Sequence, residues 1–140
     1  MDDDYEWGPA FRMPIEHGKV AEFWAALGDE YSPIAPATFL MTQRFWSPPF
    51  DWASFGIDLD PRRILHGEQE FSYPTGPVRV GQVLVVRHRI AEDYRKTGSR
   101  GGELRFVVRE TEFRDEQTGA VACVSRSTTI ETSATLGSAR

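Results

Sequence analysis

Residues 82–113 read QVLVVRHRIAEDYRKTGSRGGELRFVVRETEF, two long runs rich in Val, Phe and Tyr on either side of a Gly-containing joint. In the second run Leu104, Phe106 and Val108 share one face, and charged residues up to Arg109 occupy the other. The joint KTGSRGG has the composition of a turn. The stretch therefore predicts two consecutive antiparallel strands.

Two further stretches have the same character. Residues 63–73 read RILHGEQEFSY, and residues 120–132 read AVACVSRSTTIET. The joints PTGPVRVG and DEQTG are rich in turn residues, and in the second joint a positive φ costs Gly119 nothing. Four long strands on short joints predict an antiparallel meander that curls strongly around another element.

The first half of the chain is helical in pattern. One apolar stripe has the spacing i, i+3, i+4, i+7: Val20, Phe23, Trp24 and Leu27. It predicts a helix over about residues 18–27, and Gly28 is placed to end it. Pro36 suits the first turn of a second helix, which Pro48 would stop and which the strands would wrap. This second helix carries Phe39, Leu40, Gln43 and Trp46.

An aromatic loop follows the second helix. Residues 47–62 read SPPFDWASFGIDLDPR and have no regular period. A long loop of this kind is a functional lid or an interface element, or it packs on the core of its own domain. The sequence leaves both interpretations open.

Length and composition predict one domain over residues 1–140, with flexible ends at 1–10 and 133–140. No apolar run approaches the roughly 20 residues of a membrane helix, and the N-terminus lacks the features of a secretory signal. We therefore expect a cytoplasmic protein without membrane contact. Cys123 is the only cysteine, which excludes an intrachain disulfide and a cysteine-based zinc site. We expect neither a metal nor a cofactor.

The net charge is −5, and basic residues alternate with acids along the chain. This distribution argues against a nucleic-acid partner. We interpret the densest basic group as a solvated strand face. It consists of Arg87, Arg89, Arg95, Lys96 and Arg100.

Several motifs, taken in their order and spacing, resemble one family. The string RILHGEQEF at 63–71, followed by PVRVGQVL at 77–84, resembles the LHGEQ signature of the MaoC-like dehydratases, specifically their N-terminal, FAS1-like dehydratase domain. Further matching strings are APATF at 35–39, AEDYRK at 91–96 and FVVRET at 106–111. The resemblance extends from about Phe11 to Thr132.

This resemblance implies an α+β protein with the hotdog fold, in which an antiparallel curved sheet wraps a central helix and pairs with another hotdog into a double hotdog. It implies an acyl thioester of coenzyme A or acyl carrier protein as the substrate. The implied reaction is reversible hydration of a trans-2-enoyl thioester to a 3-hydroxyacyl thioester, in fatty acid or lipid metabolism.

Catalytic members of this superfamily carry an Asp and a His five residues apart in a GD.NP.H loop, where the two side chains share the reacting water. This chain keeps Gly28, Asp29 and Pro33, but Ile34 stands where the histidine is needed, and the APATF string follows at once. We interpret Asp29 as a polar residue at a helix end and keep it as a candidate for residual catalysis.

His66 is the second catalytic candidate. Alternation places it on the face of Glu68 and Glu70, which favours a structural or interface histidine. Backbone N–H groups at the start of the second helix can polarise a thioester carbonyl, and a glycine inside a strand indicates a bulge or a close backbone approach. The candidate substrate-binding residues are Ala35, Ala37, Thr38 and Gly67.

Three functions fit these observations. In the first hypothesis, the chain is an accessory or substrate-binding subunit of an (R)-specific enoyl-thioester hydratase, and a MaoC-like hotdog subunit supplies the Asp/His loop. Alternatively it pairs with a second copy of itself and catalyses with Asp29 or His66. In the third hypothesis it binds acyl-CoA or acts as a scaffold without chemistry.

Overall fold

A computed structural model describes residues 6–100 and 102–133. The ends at 1–5 and 134–140, which belong to the segments expected to be flexible, lie outside the described residues. The strands are β1 (Phe11–Pro14), β2 (Ile64–Ser72), β3 (Val83–Thr97), β4 (Glu103–Asp115) and β5 (Val121–Glu131). The helices are α1 (His17–Ala26) and three 3₁₀ segments, Phe39–Trp46, Trp52–Phe55 and Pro61–Arg63. No helix in the described parts of the chain is long and apolar enough to cross a bilayer.

The strands form one antiparallel sheet in the order β1-β3-β4-β5-β2. The four strands expected from the sequence are present, and the short strand β1 is an addition. The predicted meander is correct for β3, β4 and β5 but wrong for β2. This strand pairs with β5 at the far edge of the sheet and does not pair with β3.

The length of the joint between β2 and β3 explains this crossing. Ten residues, 73–82, separate the two strands. They can reach about 33 Å, whereas three strand spacings amount to about 14 Å. The segment therefore passes the ends of β5 and β4. The Thr75 hydroxyl donates to the Val121 carbonyl at 3.4 Å on the way.

Helix α1 agrees with its prediction within one residue at each end. Gly28 has a φ of 78°, and its N–H donates to the Ala25 carbonyl, as expected for the residue that ends a helix. Val20 is fully buried, but Leu27 is 54% exposed. Leu27 is the residue at the helix end and does not join the buried stripe.

The second helix is a 3₁₀ helix, Phe39–Trp46, and it begins three residues after Pro36. Its Phe39 and Leu40 side chains are buried against the sheet, with only 1% of each exposed, and we call this element the central helix. The Ala37 carbonyl accepts a hydrogen bond from the Tyr73 hydroxyl. The N–H of Met41 donates to the Thr38 carbonyl, a three-residue step. In an α-helix that began at Pro36, the N–H of Met41 would donate to the Ala37 carbonyl instead of the Thr38 carbonyl.

The concave face of the sheet is the face that carries Arg109. Val86, Phe113 and Cys123 lie opposite one another on β3, β4 and β5 and are buried beneath the central helix. Alternation along β4 brings Arg109 and Val107 to the same side. The face of β4 that the sequence shows as charged therefore points into the protein. Along the strand, its charged residues lie between buried apolar residues.

The aromatic loop, residues 47–62, packs on the sheet of its own chain. Its Ile57 is 6% exposed and forms a second apolar cluster with Ile90 of β3 and Val107 of β4. Other side chains of the loop surround this cluster: Phe50, Trp52, Phe55 and Leu59. The loop thus covers the part of the concave face that the central helix does not reach.

On the convex face, opposite to the face that carries Arg109, two basic residues of β3 are paired with acids. Arg87 contacts Glu112 at 2.9 Å, and Arg89 contacts Glu110 at 2.8 Å. Both guanidinium groups also lie over the ring of Trp7, at 4.1 and 4.7 Å from its centroid. The expected solvated face is therefore an ion-pair network in this part of β3, and it holds residues 6–10 against the sheet.

A bulge at Gly67 changes which face His66 occupies. His66 pairs with Thr129 and Glu68 pairs with Thr128, so one residue of β2 has no opposite partner. His66 consequently shares the face of Gln69, and the prediction that it lies beside Glu68 is wrong. The bulge expected at this glycine is confirmed. The close approach is to the side chain of Ile130 in β5.

Gly67→Ala is expected to destabilise the protein by about 1 kcal/mol, the lower end of the cost of overpacking. The added Cβ would lie 2.8 Å from Cδ1 and 3.1 Å from Cγ1 of Ile130. Ile130→Val removes Cδ1 and should relieve part of this loss. Urea unfolding of the single and double variants measures the effect. Gly18→Ala is the matched control, because nothing lies within 4 Å of its added Cβ, and it should stabilise helix α1.

Candidate functional site

The segment between α1 and the central helix, which contains Asp29 and Ile34, is held by several hydrogen bonds. We call residues 28–38 the linker. The indole N–H of Trp24 donates to the carbonyls of Ser32 at 3.1 Å and Ile34 at 3.0 Å. Ile34 also forms an isolated antiparallel bridge with Arg79. The position where a catalytic histidine was sought is therefore part of the backbone framework.

Backbone hydrogen bonds join the linker to the β2–β3 joint on both sides of Ile34. The N–H of Val80 donates to the Pro33 carbonyl, and the N–H of Ala35 donates to the Val78 carbonyl, both at 2.8 Å. Ala35 was a candidate for polarising a carbonyl through its N–H. That N–H is already engaged. The backbone N–H groups of Ala37 and Thr38 donate to no other backbone group among the described residues.

Asp29 and His66, the two catalytic candidates, line neither the pocket beside the linker nor the cavity beside the central helix. Asp29 is exposed, and its N–H donates to the Trp24 carbonyl at 3.1 Å, but its carboxylate bonds to no described residue. His66 is exposed on β2, with Nε2 at 3.5 Å from the Ser127 hydroxyl. The structure does not bring Asp29 and His66 into contact.

An apolar pocket of about 320 Å³ lies between the linker and the β2–β3 joint, and we call it the linker pocket. Its walls are Ala35, Pro36, Ala37, Leu40, Tyr73, Gly76, Pro77 and Val78. Two of the predicted binding residues, Ala35 and Ala37, are thus in a pocket. Thr38 and Gly67 are not among its walls.

Tyr73 fixes one side of the linker pocket. Its hydroxyl donates to the Ala37 carbonyl, and its ring lies 6.4 Å from that of Phe71. Burial raises the pKa of Tyr73 above its ordinary value, and burial also raises the pKa of the Cys123 thiol to about 11. Both groups are therefore neutral at physiological pH, and the pocket presents no ionised side chain.

A second cavity of about 450 Å³ lies where the central helix meets the aromatic loop, and we call it the lid cavity. Its rim is exposed and includes Met41, Arg44 and Phe45, the last of which is 74% exposed. Its other walls are Gln43, Ser47, Pro48, Pro49, Phe50, His88 and Arg109. Two of these, His88 and Arg109, come from the concave face of the sheet.

The concave face is polar beneath this cavity. Two rows of the sheet register form what we call the polar layer: His88, Thr111 and Ser125 in one row, and Arg109, Ser127 and Gln69 in the next. His88 Nδ1 is 2.8 Å from the Thr111 hydroxyl, and Gln69 Nε2 donates to the Ser125 hydroxyl at 2.7 Å. These polar residues lie between the two apolar clusters of the core.

Single polar atoms of this layer and of the central helix above it lack a hydrogen bond. Within residues 6–100 and 102–133, three buried side-chain atoms lack a hydrogen bond: Gln43 Oε1, Gln69 Oε1 and Arg109 Nε. No carboxylate of the described chain pairs with Arg109 either, and its guanidinium lies 4.4 Å from the ring centroid of Phe50. Arg109 is half-buried, and its Nε is shielded from solvent without a hydrogen bond, so no partner within the described chain offsets the desolvation of its charge.

The charge of Arg109 affects its neighbour. Burial, and next the charge of Arg109, lower the pKa of His88 to about 4. Burial also lowers the pKa of Arg109, whose guanidinium nevertheless stays protonated. His88 is therefore a neutral imidazole at physiological pH, and its ring packs edge-on against Phe50 with centroids 5.3 Å apart.

Sequence reasoning missed this second site. His88 had no catalytic context in the sequence, and Arg109 was one charge among several on a strand. A signal was nevertheless present. Arg109 alternates with Val107 and Phe113, and a long cation between two large apolar residues on one strand face is a candidate for burial.

The architecture defines the class of protein. A five-stranded antiparallel sheet curled around a short central helix, in the order β1-β3-β4-β5-β2, is the hotdog fold. Residues 31–124, more than half of the chain, match the model of the FAS1-like dehydratase domain region. The chain therefore belongs to the FAS1-like dehydratase family.

Solved structures agree with this assignment at the level of the fold. A chain of the C-terminally truncated HadBC complex of Mycobacterium tuberculosis, a 3R-hydroxyacyl-ACP dehydratase, is 17% identical with a TM-score of 0.64, over 88% of this chain and 95% of that one. A chain of the ChsH1-ChsH2 complex of the same organism is 12% identical with a TM-score of 0.69, over 89% of this chain and 83% of that one. The MaoC-like dehydratase of Rhodospirillum rubrum is 16% identical with a TM-score of 0.56, over 89% of this chain and 91% of that one. No curated protein is significantly similar.

Trp24→Phe should release the linker. The substitution removes the indole N–H and leaves the carbonyls of Ser32 and Ile34 without that donor, at a cost of about 1–3 kcal/mol. Amide hydrogen exchange should become faster at Ala35 and Val80. Trp46→Phe is the control, because Trp46 also packs on the core while its indole bonds to no described residue. Equal exchange at these amides in both variants would contradict the role of the indole.

His88→Gln should make folding less sensitive to acid. In the unfolded chain this histidine has its ordinary pKa of about 6.5, whereas in the folded protein the pKa of His88 is about 4. Between these two pH values the unfolded state binds more protons, so the free energy of unfolding rises with pH in this window. The wild-type protein should lose about 2 kcal/mol more than the variant between pH 7 and pH 5. Urea unfolding at both pH values measures the difference. Identical pH dependence would show that His88 is not held neutral.

Proposed function

We propose that this chain is an accessory or substrate-binding subunit of a MaoC-like (R)-specific enoyl-thioester hydratase or 3-hydroxyacyl-thioester dehydratase. A partner hotdog subunit supplies the Asp/His loop that activates water. This chain supplies a continuation of the sheet and part of the acyl site. The substrate is an acyl thioester of coenzyme A or acyl carrier protein, and the setting is lipid metabolism in the cytoplasm.

The fixed linker carries this proposal. Hydration needs a base and an acid at one water molecule. In this chain, Ile34 stands at the expected imidazole position and is held there by Trp24 and Arg79. The carboxylate of Asp29 points to no described partner, and His66 lies on another strand. Family membership together with this linker favours binding in this chain and catalysis in another.

The linker pocket supports a binding role. Its walls are apolar, and Tyr73 and Cys123 beside it are neutral, so it suits the uncharged thioester end of a substrate. Ala37 is one of its walls, and the N–H groups of Ala37 and Thr38 directly precede the central helix. A thioester carbonyl can accept from such groups without any catalytic side chain.

The free edge of β2 supports a hotdog partner. This strand has nine residues and bonds to β5 on one side only, and Leu65 on it is 45% exposed. A long unpaired edge is a template for adding another strand. The HadBC and ChsH1-ChsH2 structures are complexes, which agrees with pairing to a second hotdog chain.

Reconstitution tests the proposal. The chain is mixed with a MaoC-like subunit that carries the Asp/His loop, and the loss of trans-2-hexenoyl-CoA is followed. The mixture should be active, and the lone chain should not. Replacing the loop histidine of the added subunit should lower the rate by about 10²- to 10⁴-fold, the usual effect of losing a general acid or base.

Two variants of this chain serve as controls in that assay. Asp29→Asn and His66→Gln should leave the rate of the mixture within about twofold, since neither side chain belongs to the reacting set. Activity of the lone chain that Asp29→Asn or His66→Gln abolishes would establish a self-sufficient homodimer in place of the accessory subunit. Binding of the thioester without any effect on turnover would indicate a scaffold.

A further inference from the structure

The lid cavity differs from the other cavities in its charge. Two arginines line it, Arg44 at the rim and Arg109 at the floor, and none of its walls is acidic. By contrast, the cavity of about 630 Å³ beside Asp60 and Glu131 contains its own counter-ions, because Arg63 pairs with both of these carboxylates at 3.4 Å. The lid cavity thus carries positive charge without an acidic residue among its walls.

The groups at the floor can bind an oxygen anion. Arg109 lies on Phe50 and has no hydrogen-bond acceptor in the described chain, so its guanidinium keeps its donors for a ligand. Gln43 is another wall of the cavity, and its buried Oε1 lacks a hydrogen bond; rotation of its amide by half a turn would put the NH₂ group, a donor, in that place. Neutral His88 has a second ring nitrogen beyond the one that meets Thr111.

The remaining walls define the body of the ligand. Met41, Phe45, Pro48 and Pro49 join Phe50 in an apolar surround of the polar floor. A cavity of about 450 Å³ is within the range of small-molecule sites. The combination suits an aliphatic or aromatic group that ends in a carboxylate. Planar guanidinium groups match carboxylate oxygens in geometry as well as in charge.

We propose that the lid cavity binds the distal carboxylate of the substrate's acyl group, with Arg109 as the counter-ion and Gln43 as a further donor. The natural substrate is then a thioester of a dicarboxylic acid. The assignment of the carboxylate to a thioester rests on the proposed function. The carboxylate site itself does not.

Binding to the isolated chain tests the site. Hexanoate and the neutral hexanamide have the same shape, and hexanoate should bind about 10- to 100-fold more tightly because a charge-assisted bond is lost in the amide. Titration by NMR should shift the ring signals of His88 and Phe50. Equal affinities, no detectable binding in the millimolar range, or binding that leaves both rings unaffected would overturn the proposal.

Two substitutions complete this test. Arg109→Met keeps the length of the side chain without its charge and should remove the preference for hexanoate. Exposed Arg79, outside the cavity, provides the control, and Arg79→Met should keep the preference. Urea unfolding verifies that both variants are folded, and the comparison of the two ligands on the wild-type chain needs no variant. A preference that persists in Arg109→Met would overturn the site.

The reconstituted complex tests the source of the carboxylate. It is given trans-2-hexenoyl-CoA and the same thioester ending in a carboxylate. Arg109→Met should reduce turnover of the carboxylated thioester about tenfold or more and leave the other unchanged. Equal effects on the two thioesters would overturn the assignment to a dicarboxylic substrate. If neither thioester is hydrated, the proposed function fails, and the hexanoate measurements still decide whether the site exists.

Discussion

The indole N–H of Trp24, shared between the carbonyls of Ser32 and Ile34, determines how the two halves of the protein meet. It ties the end of α1 to the linker, and the linker in turn bonds to the β2–β3 joint through Val78 and Val80. The central helix begins directly after these bonds. Its place on the concave face therefore depends on a short, fixed linker, and a longer loop with its own catalytic side chains would need a different path.

Coverage of the concave face explains the location of the polar layer. Strands β3 and β4 have 15 and 13 residues, about 50 and 43 Å, whereas the eight-residue central helix spans about 16 Å. The helix covers one apolar cluster and the aromatic loop covers the other. Arg109 and His88 lie where these two covers meet. The lid cavity opens at this junction because neither cover is continuous across it.

Local patterns predicted most elements of the fold. The strands, helix α1 and the bulge at Gly67 follow from alternation, helical spacing and the cost of glycine in a strand. The 3₁₀ form of the central helix did not follow from such patterns, and the hydrogen bond from the Tyr73 hydroxyl to the Ala37 carbonyl joins residues that are distant in sequence. The position of β2 was missed for a similar reason, since a ten-residue joint permits either neighbour.

The site was predictable only in part. The linker pocket includes Ala35 and Ala37, which sequence motifs had identified, because a motif records neighbours along the chain. The lid cavity combines Gln43, Phe50, His88 and Arg109 from four segments, and no local pattern relates them. The predicted face of His66 was wrong because the bulge at Gly67 reverses the alternation of side chains along β2. Tertiary contacts decided each of these points.

Purification of the tagged chain from its native cells, with native mass spectrometry of the intact complex, decides whether another hotdog chain completes the catalytic site. We expect one copy of this chain bound to one hotdog chain that carries an Asp and a His five residues apart, and hydratase activity in that complex. A complex that contains only copies of this chain and hydrates enoyl thioesters would contradict it.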